Sequence, residues 1–121
     1  MEFFFRVDTN ESIGSGHLSR CLSLSEFLLN KNYKVTFISR PIEKDTLQNL
    51  RKKKLNFKIL KSKNLVEDAK KTLNIILKKK DAFLFVDGYH FNLSWQKIIK
   101  KKQKKILIIT EYDKKKIKKS Y

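Results

Sequence analysis

Four short stretches in which nearly every side chain is apolar, most of them aromatic or β-branched, limit what this chain can fold into. They are FFFRV (3–7), KVTFIS (34–39), AFLFVD (82–87) and KILIIT (105–110). A strand with one wet face alternates apolar and polar residues, so a run without alternation implies burial on both faces. A weaker fifth run, NFKIL (56–60), lies between the second and third. The segments between the runs have helical spacing instead. In GHLSRCLSLSEFLLNK, residues Leu18, Cys21, Leu22, Ser25, Leu28 and Leu29 share one face, and in NLVEDAKKTLNIILKKK so do Leu65, Val66, Ala69, Leu73, Ile76 and Leu77. EKDTLQNLRKK, after Pro41, and LSWQKIIKKK, with Ser94 as cap, supply two shorter helices. Strict alternation of buried strands and amphipathic helices predicts an α/β fold: a Rossmann-like parallel sheet of about five strands with helices on both faces. Residues 1–110 form this one domain, and the lysine-rich tail 111–121 is expected to be solvated or disordered.

A length of 121 residues suits one domain, and 40% apolar residues suffice for a core despite a net charge of +17. That charge raises the question of a nucleic-acid surface. Arginine, however, occurs only at Arg6, Arg20, Arg40 and Arg51 among 29 basic residues, whereas base-edge and bidentate phosphate recognition favours the guanidinium. The lysine excess fits an AT-rich coding sequence better than a dedicated surface, and leaves nonspecific polyanion binding at low salt as an expectation. The single cysteine, Cys21, cannot form an internal disulfide. MEFFFRVD is too short and too acidic for a signal peptide, and no apolar run approaches the roughly 20 residues of a membrane span. These features predict a cytoplasmic, soluble protein. No His/Cys/carboxylate cluster asks for a metal, and no cofactor is expected.

The loop after the first strand, DTNESIGSGH, holds two of the chain's three glycines, Gly14 and Gly16, around Ser15. Ligands bind in open parallel sheets beyond the carboxyl ends of the strands, where glycine lets backbone N–H groups turn toward an anion at a helix N-terminus. His17 follows in the first helical turn. There the positive end of the helix favours the uncharged ring, which could accept a proton from water or a hydroxyl. Capping or packing is the alternative for His17. GSGH has the spacing of neither a dinucleotide fingerprint nor a Walker loop, so the residues themselves indicate an anion-binding crevice with a candidate base.

RVDTNESIGSGHLSRCLSL resembles the N-terminal signature of the UDP-sugar hydrolases of pseudaminic acid biosynthesis, in which R-x-D, I-G-x-G-H and R-x-L follow one another at these spacings. FVDGYHFNLSWQKIIKKKQKKILIIT resembles the same family's D-x-Y segment, with the helix and strand that follow it. More distantly, the chain is similar to the N-terminal domains of GT-B glycosyltransferases, including the lipid II-forming type. The resemblance spans essentially this whole chain but only the N-terminal half of the family's enzyme. It implies one half of a GT-B-type architecture and a substrate, UDP-2,4-diacetamido-2,4,6-trideoxy-β-L-altropyranose, that water attacks at the anomeric carbon to release UDP. Three readings follow: a hydrolase domain that works with a separately encoded C-terminal nucleotide-binding domain, an inactive truncated remnant of such an enzyme, and a basic polyanion-binding module.

By the same resemblance His17 matches the catalytic histidine, and Gly14, Ser15 and Gly16 lie near the diphosphate. Asp8 either orients the loop or contacts sugar, while Arg6 forms a structural ion pair. Asp87 and Tyr89 open onto the crevice or form a turn leading into the next helix. Arg20 approaches the diphosphate or pairs with a surface carboxylate. Cys21 reads as a buried, inert thiol, and His90 has no counterpart in the motif. One departure stands out: the family usually has paired aspartates where this chain has Thr110 and Glu111.

Overall fold

The protein is described here by a computed structural model covering residues 1–9, 16–53 and 55–116. Five strands and four helices alternate along the chain: β1 (Glu2–Val7), α1 (Gly16–Asn30), β2 (Lys34–Ser39), α2 (Lys44–Arg51), β3 (Asn56–Ile59), α3 (Leu65–Ile76), β4 (Ala82–Asp87), α4 (Leu93–Lys100) and β5 (Ile106–Ile108). The strands form one parallel sheet in the order β3-β2-β1-β4-β5. The expected Rossmann-like α/β arrangement is what the chain adopts.

Crossovers between parallel strands are right-handed, so the direction in which strands are added decides which face a helix covers. From β1 the chain moves one way to β2 and β3, which puts α1 and α2 on one face; it then returns past β1 to β4 and β5, which puts α3 and α4 on the other. Two cores result. Phe5, Phe37, Phe57 and Phe85 pack with Leu18, Cys21, Leu28 and Leu50 on the first side. Phe4, Leu84 and Val86 pack with Ala69, Leu73, Ile76, Trp95 and Ile99 on the second. The strand register aligns Phe57, Phe37, Phe5 and Phe85 in one row across the sheet, with ring centroids 4.9, 4.9 and 4.8 Å apart. Each such ring stabilises the fold by about 1.5–3 kcal/mol through burial alone.

Local details differ from the sequence expectation where tertiary contacts intervene. Helix α4 is capped by Asn92, whose side chain accepts from the Trp95 backbone N–H at 2.9 Å, and Ser94 lies within the helix. Helix α3, capped by Asn64, is rotated so that Asp68 and Thr72 are buried, while Val66 and Leu77 are 45% and 47% exposed. The rotation brings the Asp68 carboxylate to Arg6, a cation that β1 carries into the core. Strand β5 is shorter than the run 105–110 because Thr110 leaves the ladder to bond Asp87. Among the described residues no helix is long and apolar enough to cross a membrane.

Candidate functional site

The strand order reverses between β1 and β4, and in open parallel sheets ligands bind beyond the carboxyl ends of the strands at such a point. Two aspartates stand at these strand ends, Asp8 just beyond β1 and Asp87 at the end of β4, where Val7 and Asp87 are register partners. Each collects a different set of donors.

Asp87 holds the catalytic candidate. Its Oδ1 lies 2.7 Å from Nδ1 of His17 in the first turn of α1. A carboxylate oxygen can only accept here, so Nδ1 carries the proton and donates, and Nε2 is the lone-pair nitrogen. Arg20, one turn further along α1, binds the same carboxylate through both Nε (2.9 Å to Oδ2) and Nη2 (2.7 Å to Oδ1). The 3.1 Å approach of Arg20 Nη2 to His17 Nδ1 joins two N–H groups converging on one oxygen, not a donor and an acceptor. Nη2 also donates to the Thr110 hydroxyl at 2.9 Å, which in turn donates to Asp87. Burial pushes the Asp87 carboxyl upward, but the hydrogen bonds from Arg20, Thr110 and His17 outweigh it and hold it below the usual range. The His17 ring packs edge-on against Tyr89, centroids 5.1 Å apart, with its side chain 12% exposed.

Asp8 is buried, and donors of this chain surround it. Arg6 reaches it at 2.5 and 3.1 Å, the Arg40 backbone N–H and Nε at 2.8 and 3.1 Å, and His90 Nε2 at 2.9 Å. Arg6 also spans to Asp68 (3.1 and 2.5 Å), which accepts the indole N–H of Trp95 at 2.9 Å. Burial raises the Asp8 carboxyl, yet the Arg6 charge and the bonds from His90 and Arg6 leave it far below the ordinary range. Both oxygens of Asp8 are engaged by Arg6, Arg40 and His90. Arg6, expected as a structural ion pair, makes two.

The structure thus brings His17, Arg20, Asp87 and Tyr89 together, and sets Asp8 in an adjoining buried network. Gly14 and Ser15 lie outside the described residues; Gly16 opens α1, and a Cβ built there meets nothing within 4 Å. Arg20 pairs with a carboxylate, though with the buried Asp87 rather than a surface one. Cys21 is buried with its Sγ 3.5 Å from Asp87, and burial beside that carboxylate pushes the thiol well above its usual range, so it is inert. Of the lysine tail, residues 111–116 are described: Asp113 N–H donates to the Tyr89 carbonyl at 3.2 Å, and Lys116 Nζ stands 4.9 Å from the Tyr89 ring centre.

Asp68, His90, Arg40 and Gly88 gave no motif, and Thr110 stood out only as a departure from the family's paired aspartates. For Asp68 a signal existed: Leu65, Asp68, Ala69, Thr72, Leu73 and Ile76 form a stripe at three- and four-residue steps as regular as the wholly apolar one. Gly88 is demanded by crowding, because a Cβ there would come within 2.8 Å of both the His90 and Phe91 rings. Among the described residues no group of three or more His, Cys, Asp or Glu is placed to hold a metal ion. No family model, curated protein or solved structure matches the chain.

Proposed function

We propose that this domain is the N-terminal half of a GT-B-type UDP-sugar hydrolase and that His17 is the base that activates water. The observation that carries this reading is the 2.7 Å contact of His17 Nδ1 with the Asp87 carboxylate, which can only accept, so that in the neutral ring Nε2 is left to take a proton. In the proposed step the water oxygen bonds to the anomeric carbon and the bond from that carbon to the β-phosphate oxygen breaks. UDP departs with the bonding pair, and the water proton passes to Nε2. Asp87 holds the ring in place and favours the charge it acquires, as Arg20 and Thr110 hold Asp87. The N-terminus of α1 offers its positive dipole end to the diphosphate. By the sequence resemblance, the substrate is UDP-2,4-diacetamido-2,4,6-trideoxy-β-L-altropyranose, and a separate C-terminal domain supplies most of the uridine contacts.

The test is UDP release from that substrate in oxygen-18 water, by this chain alone and mixed with the nucleotide-binding domain of such a hydrolase. Turnover is expected in the mixture, with the label in the free sugar. His17→Ala should slow it by about 10²–10⁴-fold, the usual contribution of a general base, with an unchanged melting curve. An undiminished rate in His17→Ala, or label in UDP, refutes the assignment.

A further inference from the structure

The two open corners of the sheet are written differently. On the α3 side, the face of β3 carries Asn56 and Lys58, both exposed and polar, as befits a surface facing water. On the α1 side, the row of stacked phenylalanines runs past Phe85 to its register partner in β5, Leu107, which is 49% exposed. Helix α1 borders this corner. Arg20 reaches Asp87 and Thr110, so that flank of the helix is turned toward β4 and β5, and Leu24 and Phe27 follow at four- and three-residue steps. Phe27 is 59% exposed, while Phe83 and Ile109 are only partly covered. Strand β5 pairs with β4, and no other described strand pairs with it. A half-covered apolar floor beside an apolar wall, at a strand edge that no described strand pairs, suits a docking surface better than a wet face.

The charges around it select the occupant. Lys31, the next position on that flank of α1, stands 5.6 Å from the Phe27 ring centre. Lys105, which shares the Leu107 face by strand alternation, pairs with Asp81 at 2.8 Å, and Arg20, paired with Asp87, closes the other end of the flank with its side chain 53% exposed, so the excess positive charge at the rim comes from Lys31 and from the chain's net charge. A second copy of a chain with net charge +17 would bring like charges onto this rim.

We propose that the β4–β5 corner beside α1 is a docking surface for a partner polypeptide that presents an apolar stripe bordered by Asp and Glu. The inference rests on sheet packing and charge, independently of the chemistry assigned to His17.

The probes are two fluorescein-labelled 16-residue amphipathic peptides of the same Leu/Ala face, one rimmed by Glu and one by Lys, titrated with the whole chain at low and moderate salt. The Glu peptide should bind saturably, at least tenfold more tightly than the Lys peptide. Phe27→Lys and Leu107→Lys, both surface changes, should each weaken Glu-peptide binding at least fivefold without altering the far-UV spectrum or melting midpoint. His17→Ala should leave it unchanged. Equal binding of the two peptides, no binding, or binding indifferent to Phe27→Lys and Leu107→Lys overturns the proposal; the last result would indicate attraction to the lysine surface at large. A concentration-dependent dimer by light scattering that Leu107→Lys dissolves would assign the surface to a second copy and overturn it too.

Discussion

Replacing Asp68 by alanine probes the buried charges that fasten α3 and α4 to β1. The carboxylate is fully buried and accepts from Arg6 Nε at 3.1 Å, Arg6 Nη2 at 2.5 Å and Trp95 Nε1 at 2.9 Å. Its removal leaves the buried guanidinium with one described carboxylate partner, Asp8, beside the Ile38 carbonyl, and takes away the acceptor of the indole N–H. Breaking a buried ion pair from one side costs about 3–5 kcal/mol, and stranding a buried neutral donor about 1–3 kcal/mol. The two losses share one carboxylate and do not add, so the expected destabilisation is about 4 kcal/mol. That is a large share of the roughly 5–15 kcal/mol that holds a domain together, and corresponds to a drop of about 10–20 °C in melting midpoint. Urea titration followed by circular dichroism and by Trp95, the single tryptophan, measures it, with an unchanged slope showing that the unfolded state is not at fault. Asp87→Ala is the control. Its main partner, Arg20, has a side chain 53% exposed and can rehydrate, so about 1 kcal/mol is expected there. A loss below about 1 kcal/mol for Asp68→Ala, or equal losses in the two variants, refutes the view that the buried pair fastens the layers.

Acid should unfold this protein by a route that Asp8 and Asp87 share. Both carboxyls are held low in the fold, Asp8 by Arg6 and His90 against the opposing effect of burial, and Asp87 by Arg20, Thr110 and His17. A depressed carboxyl contributes stability that is complete above its unfolded value, about 4 for aspartate, and is lost as pH falls below it. The urea midpoint should therefore decline between about pH 5 and pH 2 and decline less steeply in Asp8→Asn; a midpoint flat across that window contradicts the assignment. Gly88→Ala should destabilise by about 1–3 kcal/mol in the same titration, since the added methyl meets two rings at 2.8 Å; an unchanged midpoint would show that His90 and Phe91 yield freely.

The strands and helices were legible because their signals are local. A continuous apolar run is buried on both faces wherever it sits, and residues at three- and four-step spacing share a helix face in any context. Alternation of the two then left the parallel Rossmann-like sheet as the consistent arrangement. His17 was legible as a candidate from its place after the glycine loop beyond β1, whereas Asp87 and Tyr89 were candidates only through the family resemblance. Their partnerships were not legible. Asp87 lies 70 positions from His17, and Asp68 lies 62 from Arg6. A hydrogen bond forms or fails within a few tenths of an ångström, and at such separations that distance is set by strand register and helix rotation, which no local pattern encodes. The rotation of α3 shows the limit most plainly. Its sequence offers two stripes of similar regularity, and the demand of a buried Arg6 for a second carboxylate selects the one that carries Asp68 inward.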